Sequence, residues 1–281
     1  MRLFLAPFLI GMAVLVVLPA FTTLALAFTR YNALQAPVWI GLENFRKLLS
    51  APLISLAFRN TLLFIGLAVP LRLMAALALA LLLQAQGRRF AIHRAVAYLP
   101  TLIPEAAYAL IWLWIFNPLY GPLNHLLALA GLPAPAWLTD PTSARLAIII
   151  MLVFQMGEGF LVLLAGLHNI PQTYFEAARM DGASAWQILW RITLPLLTPW
   201  ILLLTCRDIL ASLQATFTPT YLLTYGGPYY ATMLFPLLIY ELSFDYVDYG
   251  LASALLVMLY ALMALLIAAI LRLARAGGVD V

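Results

Sequence analysis

The sequence predicts an all-α integral membrane protein with six transmembrane helices, and three observations predict it. Of 281 residues, 65% are hydrophobic and only 9% are charged, against about 25% charged in soluble domains. Mean hydropathy is +1.01. The apolar residues also gather into six runs, each near the roughly 20 residues that cross a hydrocarbon core. Stretches such as LALALLL at 77–83 and LAIIIMLVF at 146–154 are continuous, not alternating, which suits helices and not a β-barrel. So little charge excludes an ordinary cytosolic enzyme, a disordered chain and a nucleic-acid binder. The surplus of four positive charges bears on orientation in the membrane. A single cysteine, Cys206, excludes an internal disulfide and a cysteine-based metal cluster.

The runs are Leu3–Phe28, Thr61–Leu83, Ala95–Phe116, Leu146–Leu167, Leu196–Phe217 and Leu251–Leu271, forming one membrane domain over residues 1–281. The first begins after Arg2 and holds Ala25-Leu26-Ala27, which resembles a signal-peptide cleavage site. Its apolar stretch far exceeds the roughly 7–15 residues of a signal core, so it reads as a retained span. In the second, Arg72 snorkels only if it lies near an end. In the third, Pro100 and Pro104 predict a kinked helix whose freed backbone groups Glu105 can cap. The Trp112/Trp114 pair near its outer end reads as an aromatic belt. Placing the N-terminus inside puts eight basic residues on inner segments (Arg2, Arg88, Arg89, Arg94, Arg179, Arg191, Arg272, Arg275). Five lie outside: Arg30, Arg46, Lys47, Arg59 and Arg145. Both termini are therefore expected to be cytoplasmic.

Two outer loops, 117–144 and 218–250, hold no Lys or Arg. The first, NPLYGPLNHLLALAGLPAPAWLTDP, has the punctuation of an ordered cap. In the second, Gly226-Gly227-Pro228 is a turn signal; the surrounding tyrosines are either interfacial anchors or a docking surface for an external partner.

The inner loop 168–195 is amphipathic. Pro171 opens a helix on which Tyr174, Phe175, Ala177, Ala178 and Met180 form an apolar set beside Glu176, Arg179 and Asp181. Gly182 ends it. A second stretch, Ala183 to Trp190, precedes Pro195, where the chain restarts into the fifth span. Two short helices hinged at a glycine are either a hairpin lying on the membrane face or a ball presented to a socket on another protein.

Glu176-Ala177-Ala178, Gly182, then Ile192, Thr193, Leu194 and Pro195 stand at the spacing of the EAA loop of ABC-importer permeases, which this chain resembles. Further stretches are similar to the maltose- and glycerol-phosphate-type branch: Asn60-Thr61-Leu62, Asn117-Pro118 with Gly121 and Asn124, Trp137 to Pro141, Ile170-Pro171, Thr224, and Gly250 to Ala254. The resemblance runs from about residue 3 to residue 273. It implies a type I ABC importer permease fold in a bacterial or archaeal inner membrane. It also implies a second homologous permease subunit, a dimer of ATPase subunits carrying ATP and Mg, and an extracytoplasmic solute-binding protein. On that resemblance, Glu176, Ala177, Ala178, Asp181, Gly182, Ile192, Leu194 and Pro195 couple the chain to the ATPase. Gly226, Gly227 and Pro228 meet the binding protein. Phe154, Gln155, Glu158, Leu213 and Thr216 match sugar-contacting positions.

Charges inside the bilayer are expensive, which makes Glu158, Arg207 and Asp208 candidates on chemistry alone. Gln155 and Glu158 share a helix face, and Gly157 and Gly159 permit close approach. Glu158 either touches solute, pairs with a basic group, or gates. Adjacent Arg207 and Asp208 point apart on a helix and need not pair with each other. Asp208 aligns with Ser212 along the interior, and Arg207 can hold Glu158 or Asp208. An arginine in the path also keeps open an anionic solute such as a glycerol-phosphate, or another polyol. The His residues have no ligand spacing, so no metal is expected. No nucleophile–base constellation marks an enzyme, and no G-x-x-x-x-G-K-[ST] sequence is present, so any ATP hydrolysis belongs to a partner. An ion-coupled secondary transporter would leave the EAA spacing unexplained.

Overall fold

The computed structural model describes residues 2–85 and 87–276, with side chains outside that description at residues 2–4, 213 and 214. Helix dominates because nearly every segment is apolar, and backbone groups in lipid must bond within their own segment. The first span is α1 (Leu5–Leu26), and none of its residues is buried against the rest of the chain. It widens through a π-turn at Ala13–Val17. A hairpin follows, with β1 (Thr29–Arg30) antiparallel to β2 (Val38–Trp39) and Thr29 facing Trp39. It leads into the short amphipathic α2 (Glu43–Ser50). Buried Asn44 on α2 donates to the Ala27 and Thr29 carbonyls at 3.0 and 2.8 Å, tying hairpin to helix.

The second span, α3 (Pro52–Leu82), starts well before Thr61 because Pro52 is preorganised for a first turn and Ile54 and Ala57 are buried. The third run is two helices, α4 (Arg88–Leu102) and α5 (Glu105–Ile115), bent by 101° at Ile103-Pro104. The prolines predict that break. Glu105 does not cap it: the carboxylate sits in the first turn of α5 and accepts from Thr218 at 3.1 Å. A short α6 (Pro122–Leu129) crosses the cap. The fourth run is also a pair, α7 (Pro141–Phe154) and α8 (Gly157–His168), bent by 45°. This second bend has no proline. A Cβ on Gly157 would lie 2.9 Å from Thr101 Cγ2 and 3.1 Å from Tyr98 Cα, so glycine lets α8 cross the first break.

The inner loop forms α9 (Gln172–Met180). The next helix begins at Ala185–Ile188, widens through a π-turn at Leu189–Thr193 and continues as Leu194–Ala215; together these are α10. Its expected restart at Pro195 is corrected here. The Leu194 N–H bonds to the Leu189 carbonyl, and the widened turn just before Pro195 carries the helix through the ring. Then come α11 (Phe217–Pro219) with a π-turn at Thr220–Thr224, and α12 (Phe235–Tyr240) with a π-turn at Glu241–Asp245. The last span is α13 (Tyr249–Ala276). Gly250 is pinned by the hairpin: its N–H donates to the Tyr31 carbonyl at 3.1 Å, and a Cβ there would lie 2.2 Å from the Thr29 carbonyl oxygen.

Among the described residues, four helices are therefore long and apolar enough to cross a membrane, and two bent pairs pass the same test together. The apolar core is divided. One cluster joins α2, α3, α12 and α13 around Leu48, Phe235 and Leu255. A second joins the far half of α3 to α8 and α10 around Phe160, Leu163 and Leu197. A third packs α5 on α7 and α11 through Tyr108, Trp112 and Phe116. Trp112 is buried there, in edge contact with Phe154, so only Trp114 keeps the exposed position expected of a belt.

Candidate functional site

A cavity of about 270 Å³ opens where the two bends meet, lined by Arg72, Gln155, Glu158, Arg207, Thr101 and Glu105 among others. Its charges come from four spans: Arg72 on α3, Glu105 on α5, Glu158 on α8 and Arg207 on α10. Arg207 on α10 pairs with Glu158 on α8, and its Nη1 donates to neighbouring Asp208 Oδ1 at 3.1 Å. The adjacent residues thus do pair, because the long guanidinium reaches both acids. Asp208 is 3% exposed, and its other oxygen lies 3.8 Å from Arg72 Nε. Arg72 sits in mid-helix and does not snorkel; its side chain is 15% exposed. Its Nη2 donates to the Gln155 carbonyl at 2.8 Å, at the bend between α7 and α8. Among the described residues Arg72 Nε has no hydrogen-bond acceptor, so its compensation is the carboxylate charge alone. One buried acid thus orders two guanidiniums, and one guanidinium holds a helix break open.

The expected path residues separate accordingly. Gln155 and Glu158 line the cavity. Asp208 lies behind it and acts through the two arginines. Phe154 is exposed on the far side of the bend, against Trp112. Thr216 is buried with its hydroxyl on the Ser212 carbonyl, and the side chain of Leu213 lies outside the described residues. Sequence reasoning missed Arg72 as a cavity residue, although an arginine in an apolar helix was signal enough. Two guanidiniums and two carboxylates, Glu105 and Glu158, share the wall, a mixture of donors and acceptors that suits hydroxyl groups rather than a single strong charge.

At the other end of α8, α9 stands as a projecting knob. Phe175 packs against the second cluster and Ala178 is buried, while Tyr174, Glu176, Ala177 and Met180 face outward. Ala177 is thus on the exposed face, and Ala178 seats the knob on its own chain. Asp181 is exposed, and Gly182 takes φ +77° to reverse the chain. Ser184 then caps α10 reciprocally with Gln187. Ile192 and Leu194 are half-buried and Pro195 is exposed on the first turns of α10. A hollow of about 700 Å³ lies between the knob and the ends of α3 and α8.

The cap around residues 224–235 is built from the remaining motif residues. Asn60 donates to the Tyr230 and Met233 carbonyls at 2.8 and 3.2 Å, Thr61 accepts from the Phe235 N–H, and Thr224 bonds Thr232 at 2.7 Å. Gly226, with φ +79°, is buried; a Cβ would lie 2.8 Å from Met233 Cε. Gly227 and Pro228 are half-buried. This turn closes the cap, and exposed Tyr225, Tyr229 and Tyr230 offer the surface beside it. Asn124 accepts from Trp137 Nε1 at 2.7 Å. Asp140 caps α7, and the Ser143 backbone and side chain hold its carboxyl below the usual range.

Residues 72–276 match the family described as the binding-protein-dependent transport system inner membrane component. The chain belongs to this family. The match begins at the cavity arginine and takes in both bends, the knob and α13. A Bacillus subtilis relative of this family member, the probable ABC transporter permease protein YesP, is 38% identical over 90% of this chain and 82% of its own. The trehalose/maltose transport system permease protein MalF of Thermococcus litoralis is 32% identical over 92% of this chain and 88% of its own. The Rhizobium radiobacter lactose transport system permease protein LacF is 32% identical over 87% and 83%. In fold, this permease is similar to a solved bacterial alginate ABC transporter chain, with TM-score 0.86, 24% identity and 100% and 96% coverage.

Proposed function

We propose that the chain is the transmembrane permease subunit of an ATP-driven importer of saccharides. It spans a bacterial or archaeal inner membrane six times, both bent pairs counted as spans, with both termini cytoplasmic. The observation that carries the reading is a hinged helical knob joined to a charged intramembrane cavity by one short helix, α8. The knob, through Glu176, Ala177, Asp181 and Gly182, docks into a groove on a separate ATPase dimer that carries ATP and Mg. Glu176 offers a carboxylate to a basic partner, where an arginine fork fits best. Ala178 seats the knob on its own chain, and Ile192, Leu194 and Pro195 carry it into α10. Closure of the ATPase dimer pushes α9, and α8 carries the movement to Glu158 and the bend, a two-state change biased by ATP.

The solute path runs through Gln155 and Glu158, with Arg207 and Arg72 ordered by Asp208. Of the other expected path residues, Phe154 and Thr216 do not line this cavity. A second homologous permease completes the pore, and an extracytoplasmic binding protein delivers the solute at the cap beside Gly226-Gly227-Pro228. Curated relatives named for trehalose/maltose, lactose and sulfoquinovosyl glycerol transport support a saccharide. The guanidiniums are already neutralised by Asp208 and Glu158, which favours a neutral sugar over a glycerol-phosphate or other anion. The test is copurification with a second permease, an ATPase and a binding protein, followed by uptake of labelled saccharides. Gln155→Ala and Glu158→Ala are expected to raise the KM for uptake; unchanged values, or a chain that recruits no ATPase, overturn the reading.

A further inference from the structure

Beyond the cavity, the chain builds an aromatic feature that neither the knob nor the charge cluster uses. Five rings form one contiguous cluster, in which Phe217 also meets Tyr240 at 5.2 Å. Phe217 stacks on Tyr221 with centroids 5.5 Å apart, Tyr221 meets Tyr225 at 5.3 Å and Tyr240 at 5.2 Å, and Tyr240 meets Phe244 at 5.0 Å. The inner end adjoins the cavity. Ala215 lines it, and Thr218 donates to Glu105 on its wall. At the other end Tyr225 and Phe244 are 50% and 64% exposed. The partners Tyr221/Tyr225 and Tyr240/Phe244 are each four residues apart, one member of each lying within a π-turn, Thr220–Thr224 or Glu241–Asp245, and the other flanking it. A π-turn takes more residues per turn than the about 3.6 of an α-helix, so positions four apart come closer to eclipsing and their rings fall into file. Tyr225 adopts φ +47°, a left-handed conformation that costs energy in a tyrosine and that clusters at ligand clamps. Its phenol donates to Asp245 Oδ2 at 3.0 Å.

We propose that these five rings, edged by Glu241 and Asp245, form a stacking track that passes a neutral oligosaccharide to the cavity. The proposal rests on the saccharide-import reading. Sugar rings present apolar faces that lie on aromatic rings and hydroxyl edges that bond carboxylates, and the track supplies both. The absence of Lys and Arg throughout 218–250 leaves nothing to hold an acidic sugar. Burial, and then the neighbouring Asp245, push the Glu241 carboxyl up.

The test is uptake by the assembled transporter, in proteoliposomes with its binding protein, of labelled neutral oligosaccharides from disaccharide to pentasaccharide and of oligouronates of equal length. Phe244→Ala and Tyr225→Ala are expected to raise the pentasaccharide KM by roughly tenfold, the worth of one lost stacking contact. The disaccharide should change by less than about twofold, and Phe244→Tyr should keep wild-type values. Equal KM at every length in the variants overturns the track while leaving saccharide import standing. Wild-type protein that imports no saccharide overturns the import reading itself. Loss of the second permease on purification, or weaker docking of sugar-free binding protein, makes the rings an interface and also overturns the track.

Discussion

Replacing Asp208 with alanine tests whether the charge cluster holds the spans together. The substitution removes one carboxylate, 3% exposed, from between two guanidiniums. Arg207 keeps Glu158, but Arg72 keeps only the Gln155 carbonyl. At the 3.8 Å separation of Arg72 Nε and Asp208 Oδ2, an effective dielectric near 20 gives an attraction of about 4 kcal/mol. Breaking one side of a buried pair generally costs about 3–5 kcal/mol. Arg72 retains some access to the cavity, so the lower end, about 3 kcal/mol, applies, and it corresponds to a fall in Tm on the order of 10 °C. The assay is thermal unfolding of the detergent-solubilised complex by fluorescence-detected gel filtration. The double variant Arg72→Met, Asp208→Leu removes both charges and should recover most of the loss, since apolar side chains replace a buried pair at little cost. Asp208→Ala within about 2 °C of wild type, or a double variant no better than the single, refutes the argument.

Three further outcomes follow from other parts of the chain. Gly182→Trp places a bulky residue at φ +77° and should leave the chain folded but abolish both uptake and stimulated ATP hydrolysis in the complex. Surviving coupling would remove the knob from the mechanism. Gly250→Ala drives a methyl to 2.2 Å from the Thr29 carbonyl and should destabilise by about 1–3 kcal/mol, measured by the same unfolding assay. Asp140 has its carboxyl held below the usual range by the Ser143 backbone and side chain, so its cap stabilises above the ordinary carboxylate pKa and fades as pH falls through the depressed value. The Tm gap between wild type and Asp140→Ala should therefore be widest at neutral pH and close in acid; a gap independent of pH would show that charge has no part in the cap.

Much of the fold is legible because lipid removes alternatives: an apolar run of span length has to be helix, and Pro100 with Pro104 announces its break. The bend at Gln155-Met156 is not legible, because what sustains it is Arg72, 83 positions earlier, and no local residue type encodes a distant donor. The same reason hid the Arg72–Asp208 pair, though each charge was conspicuous. Pro195 misled for the opposite reason: a strong local breaker was absorbed by a π-turn that only the backbone reveals. In the knob, composition marks the helix and its glycine hinge, but the side on which Ala178 falls depends on how Phe175 seats α9 on the second cluster.

The two bends beside the cavity differ in kind. The one at Ile103-Pro104 is written into covalent structure: a proline ring supplies it whatever surrounds it. The one at Gln155-Met156 is fastened by a side chain from another span, and a fastening made of a guanidinium on a carbonyl can be let go without breaking the chain. The chamber thus has one welded joint and one latched joint. The latched joint heads α8, the helix whose other end leads to the knob. Straightening α7 and α8 would free Arg72 to turn wholly toward Asp208, and the cluster that keeps the chamber's shape would also record which shape it is in.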